Sequence, residues 1–81
     1  MITYKATIRE TDIIFLSTRM ADIKKWVKTE LEKGAECIEI YAYHRAVDYN
    51  TFEDYGCYWL GSIYNDEDSS FKKLWDNFIQ K

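Results

Sequence analysis

Five bulky side chains near the C-terminus, Phe71, Leu74, Trp75, Phe78 and Ile79, recur at i, i+3, i+4, i+7 and i+8. That spacing lines one face of an α-helix. A short helix with such a stripe is marginal alone in water and needs a second apolar surface to cover. The chain has 81 residues, enough for one modest core that buries roughly 60–65% of the unfolded surface. The stripe and whatever it covers must therefore share that core, in one domain spanning residues 1–81. The helix is predicted over 66–80. Asn65 or Asp66 is its expected cap, and Asp66, Glu67 and Asp68 suit the positive end of its dipole. Asn65 and Asp68 have the spacing of a capping box.

The surface for that helix is predicted to be a sheet. Ile2, Tyr4, Ala6 and Ile8 alternate with Thr3, Lys5, Thr7 and Arg9, the period of a strand with one buried face. Glu10-Thr11-Asp12 reads as a hairpin loop, and Ile13 to Ser17 as a second strand. Met20, Ile23, Val27 and Leu31 then share one face of a helix over 19–33. Ser17 or Thr18 is its expected N-cap, Gly34 its expected left-handed terminator, and Lys24, Lys25 and Lys28 take the solvent side. Residues 37–43 form a third strand, 44–54 a loop, and 55–64 a fourth strand. The fourth is apolar or aromatic on both faces, which points to a central or doubly covered position. The fold class is α+β: a two-layer sandwich in ββαββα order, with a four-stranded, mainly antiparallel sheet and both helices on one face.

Composition removes several functions. Hydrophobic residues are 47% and aromatics 17% of the chain, so it is not disordered. The net charge of −3 argues against direct nucleic-acid binding. No stretch approaches the length of a membrane helix, and no cleavable leader pattern is visible. Two cysteines, Cys37 and Cys57, are too few for a secreted disulfide scaffold. A cytoplasmic protein with reduced thiols is expected. A single histidine, His44, and the absence of paired ligand spacings argue against a metal site. No glycine-rich phosphate loop is present. Gly56 and Gly61 flank a strand interior, where glycine marks a bulge or a close aromatic contact. No cofactor is expected.

One catalytic arrangement deserves weighing. If the third and fourth strands form a hairpin, residues whose numbers sum to about 98–101 lie opposite each other. His44 then approaches Cys57, with Asp54 close by, a minimal set for thiol chemistry. Neither an orienting group for the base nor oxyanion donors are identifiable, so the chain is read as no enzyme, with no catalytic residue. The same pairing separates Cys37 from Cys57 and disfavours a disulfide.

The aromatic pattern is more informative. Ile38, Ile40 and Ala42 form the better core face of the third strand, so Tyr41 and Tyr43 point away from the helices. Simple alternation divides the fourth strand into Cys57, Trp59 and Ile63 on one side and Tyr58, Leu60 and Tyr64 on the other. Either side extends an aromatic patch on the open sheet face, and exposed patches of that kind mark interaction surfaces. The candidate interface is Tyr41, Tyr43, Tyr58, Leu60 and Tyr64. The leading expectation is a protein-interaction module that self-associates, as a homodimer, or binds a protein partner through this face. A second reading rests on residues 36–68, where eight acids face one base, Arg45, interleaved with Tyr49, Phe52 and Tyr55. In size, acidity and lack of catalytic motifs the chain resembles small accessory proteins of phages and mobile elements. The acidic segment is the support for an inhibitor that occupies a basic, nucleic-acid-binding groove of a partner protein. A third reading is a small thiol enzyme using Cys57 and His44.

Overall fold

A computed structural model describes residues 2–43 and 57–79, apart from the side chains of Cys57, Tyr58 and Ile79. The elements are β1 (Thr3–Ile8), β2 (Ile14–Ser17), α1 (Met20–Glu32), β3 (Cys37–Tyr43), β4 (Cys57–Tyr64) and α2 (Phe71–Ile79). This is the expected ββαββα order of an α+β fold. All three strand pairings are antiparallel, and the sheet order is β2-β1-β3-β4. Thus β4 is an edge strand, not a central one; β1 and β3 occupy the middle.

Directly paired residues point to the same face of a sheet. Ala6 pairs with Ile40, and Ile38 with both Ile8 and Ile63. These residues meet Ile23, Val27 and Leu31 of α1 and Trp75 and Phe78 of α2 in one core. Both helices therefore cover the same face. Ile23, Val27, Ile38 and Ile40 are fully buried, as the alternating and helical patterns require. Phe15 of β2 and Trp26 of α1 extend the core to one side, their rings stacked at 5.4 Å.

The helix ends depart from expectation in instructive ways. The N-cap of α1 is Arg19, with no side-chain cap. Ser17 instead accepts from the Arg19 N–H at 3.1 Å and donates to the Asp22 carboxylate at 2.9 Å, fixing the entry to the first turn. At the other end Gly34 takes φ +105°. Its N–H bonds the Leu31 carbonyl and that of Ala35 bonds the Glu30 carbonyl, the two bonds of a Schellman terminus. Asn65 completes this end from across the fold, its amide donating to the Leu31 and Ala35 carbonyls at 3.1 and 2.9 Å.

Asn65 is thus occupied at α1 and does not cap α2, which starts at Phe71 rather than near Asp66. Asp66 accepts from the Asp68 N–H and the Ser69 hydroxyl at 2.9 and 3.0 Å, closing a local turn that competes with helix. Ser70 is the residue that caps α2, accepting from the Lys73 N–H at 3.2 Å.

The pairing of β3 with β4 changes register midway. Ile40 faces Gly61, but Tyr41 faces Trp59, so Leu60 is an extra residue. This is a β-bulge, and it reverses the alternation of β4 on either side of it. Gly61 also lies under Phe78: a Cβ there would sit 3.1 Å from Cδ2 and Cε2 of the ring. Gly61 thus marks both the bulge and the close aromatic contact.

Phe78→Ala is expected to cost about 3–5 kcal/mol, and Gly61→Ala about 1–3 kcal/mol through overpacking. In chemical denaturation, Gly61→Ala combined with Phe78→Leu is expected to be less destabilised than the sum of the single changes. Strict additivity would show that the ring and residue 61 do not touch.

Candidate interaction surface

The face opposite the helices is built by Ile14 and Leu16 of β2, Lys5 and Thr7 of β1, Glu39, Tyr41 and Tyr43 of β3, and Trp59, Ser62 and Tyr64 of β4. Their pairing requires this: Lys5 lies between Leu16 and Tyr41, Thr7 between Ile14 and Glu39, and Tyr41 beside Trp59. Glu39 then adjoins Ser62, and Cys37 adjoins Tyr64.

Of the five expected interface residues, Tyr41, Tyr43 and Tyr64 share this face. Their exposures differ greatly. Tyr64 is 56% exposed, whereas Tyr43 is 3% exposed and unsuited to direct contact with a partner. Leu60 requires correction. The bulge turns it from the alternating series, and it packs against the helix-side core. Tyr58 pairs with Ala42, and its side chain lies outside the described residues. Trp59 is the residue that simple alternation misses. It is 59% exposed, the most exposed of the large hydrophobic side chains described. Gly61 was its signal, because a bulge reverses which side chains of one strand share a face.

The face is not uniformly apolar. Lys5 Nζ lies 4.8 Å from the Tyr41 ring centre and 5.4 Å from that of Tyr43, within cation–π range. Arg9 stands over the Tyr64 ring at 5.7 Å, near the Tyr64 hydroxyl at 3.4 Å and Glu39 at 3.5 Å. Ser62 and Tyr41 donate to Glu39, both at 3.5 Å. These polar contacts are long and individually weak. Together they set the tyrosine rings beside a line of charged and polar groups.

A cleft of about 620 Å³ opens at the end of this face, lined by Arg9, Glu10, Glu36, Cys37 and Tyr64 among others. Its one cation is already engaged by Glu39 and Tyr64, and two further carboxylates border it. Among the described residues no three His, Cys, Asp or Glu side chains converge as metal ligands, and no helix is long and apolar enough to cross a membrane. The Cys57–His44 arrangement cannot be followed to its side chains: the backbone of Cys57 pairs with Tyr43, while its side chain and all of His44 lie outside the described residues. So do Arg45, Tyr49, Phe52, Glu53, Asp54 and Tyr55, on which the inhibitor reading draws. No family model, curated protein or solved structure matches this chain.

Cys37 is a free, buried thiol. Burial pushes it above its ordinary range; Glu39 reinforces the shift and Arg9 opposes it. The raised value favours the protonated thiol in the fold. The associated stability is full below the thiol's unfolded range, near pH ~8.5, and is lost as pH rises through the folded value. Peptide-resolved alkylation is expected to show Cys37 slow at neutral pH, with a profile displaced to higher pH than a free cysteine. Reaction at neutral pH as fast as a free thiol would contradict this burial.

Proposed function

We propose that this chain is a non-enzymatic protein-interaction module that forms a homodimer through the β3–β4 half of its open sheet face. The observation that carries the reading is the exposure of Trp59 and Tyr64, 59% and 56%, on a face that neither helix covers. Tyr41 lies directly beside Trp59, Glu39 and Ser62 form a polar row between that pair and Tyr64, and Lys5 and Arg9 stand over the Tyr41 and Tyr64 rings. Trp and Tyr are frequent energetic anchors of interfaces, and the polar row between them offers hydrogen-bonding groups to a partner.

Association by face rather than by edge follows from the strands themselves. One sheet edge, β2, has only 4 residues. The other, β4, carries the bulge at Leu60. Short and bulged edges resist the addition of another strand. A twofold pairing needs only one self-complementary surface. It would bury about 600–800 Å² per subunit, the lower end of specific association.

Sedimentation equilibrium tests the reading. The wild type is expected to dimerise at or below about 100 μM, and Trp59→Ser and Tyr64→Ser to weaken that association tenfold or more while leaving circular dichroism unchanged. Tyr43→Ser is expected to act differently, lowering stability, because that side chain is buried. A wild type that stays monomeric at about 100 μM, or variants that associate as well as it does, would overturn the reading.

A further inference from the structure

The opposite side of the molecule carries a second surface with a different chemistry. Between α1 and α2 runs a groove of about 660 Å³, whose walls include Lys24, Lys25 and Lys28 from α1 and Lys72 from α2. Phe71, half-buried, gives it an apolar patch, and Glu32 stands at one end. All four lysines are exposed. Among the described residues none of them forms an ion pair; Lys24 lies 6.0 Å from the centre of the Trp75 ring.

This grouping works against the helix that carries it. Lys24 and Lys28 are four residues apart, and Lys25 and Lys28 three, so like charges sit side by side on one surface of α1. They also lie in the middle of the helix, whereas its last turn, where the dipole would favour cations, has none. Asp22 and Glu32 stand three and four residues from Lys25 and Lys28, yet among the described residues neither forms an ion pair with them, which leaves the lysine charge available to a partner. The whole chain is acidic, at −3, so this concentration of positive charge is a local feature rather than a general basic surface.

We infer that the α1–α2 groove docks a short acidic, amphipathic helical segment of a partner protein. Carboxylates on the segment pair with the four lysines, and an apolar side chain on it covers Phe71. Charge complementarity selects the occupant, and the ends of the groove limit its length. Beyond Lys28 the surface passes to Glu32, Asp66 and Glu67. A continuous polyanion such as single-stranded nucleic acid would run onto those carboxylates. A short segment ends before them. The open sheet face takes no part, so this inference stands apart from the dimer.

The test is fluorescence anisotropy with a labelled amphipathic peptide of roughly 15 residues, built from Glu and Leu with Leu at helical spacing. A composition-matched scramble, the Lys-for-Glu counterpart and a thymidine oligonucleotide serve as comparisons. The Glu–Leu peptide is expected to bind more tightly than all three, and to weaken as salt rises from about 50 to about 300 mM. K24E combined with K28E should reduce its affinity at least tenfold with circular dichroism unchanged, whereas Trp59→Ser should leave it unaltered. No peptide binding at about 1 mM, equal binding of the scramble, equal binding by the doubly reversed variant, or tighter binding of the oligonucleotide would overturn the inference.

Discussion

A Cβ at residue 61 would lie 3.1 Å from the Phe78 ring, so glycine there lets α2 settle on β4 without the ring having to give way. The contact joins the sheet to the helix layer. On one side Phe78 meets Trp75, their ring centres 5.2 Å apart, and through it the core. On the other side Gly61 abuts the bulge at Leu60. The extra residue lets Leu60 turn toward the core while Trp59, its neighbour, remains on the far face. One packing constraint at the centre of β4 thereby accompanies an exposed aromatic on the opposite side of the sheet. Bulges commonly re-aim side chains in this way, especially along sheet edges.

Much of the architecture was legible because its causes are local. Alternation in residues 2–8 and 37–43 and the helical stripes of residues 20–31 and 71–79 depend only on backbone period, and the structure has these elements within a few residues. The errors arose where a residue had two plausible partners. Asp66 and Asn65 were read as caps for α2, yet Asp66 closes its own turn and Asn65 reaches α1 across the fold. Only tertiary structure decides such a competition. The edge position of β4 was hidden for a related reason: its two apolar faces suggested burial on both sides, whereas neither helix covers the face that carries Trp59 and Tyr64. At the candidate surface, parity placed Tyr41 and Tyr43 on the face away from the helices but left open which side of β4 joins them; the bulge splits both alternating sets, putting Trp59 and Tyr64 there together and Leu60 on the other face. Burial of Tyr43 was not readable from parity, which assigns a face but not an exposure.

The two proposed contacts would rest on different forces. The sheet face offers the aromatic rings of Trp59, Tyr41 and Tyr64, with Lys5 and Arg9 near the tyrosines, and suits a contact dominated by buried area. The helix face offers lysines around Phe71, and suits a contact steered by charge. Cys37 belongs to neither surface: it is buried, and that burial pushes its thiol above the ordinary range. What distinguishes the molecule is therefore the disposition of its surfaces around one core, and the sheet face depends on the bulge for its most exposed side chain.

Hydroxyl-radical footprinting of dilute and concentrated protein tests that dependence most directly, because the chain carries matched internal references. Trp59 is 59% exposed and Trp75 5%; Tyr64 is 56% exposed and Tyr43 3%. In dilute solution Trp59 and Tyr64 are expected to oxidise readily while Trp75 and Tyr43 stay protected. On concentration Trp59 and Tyr64 should become protected together. Trp59 as protected as Trp75 in dilute protein would contradict the bulged register, and Trp59 and Tyr64 still fully reactive in concentrated protein would contradict the sheet face as the dimer surface.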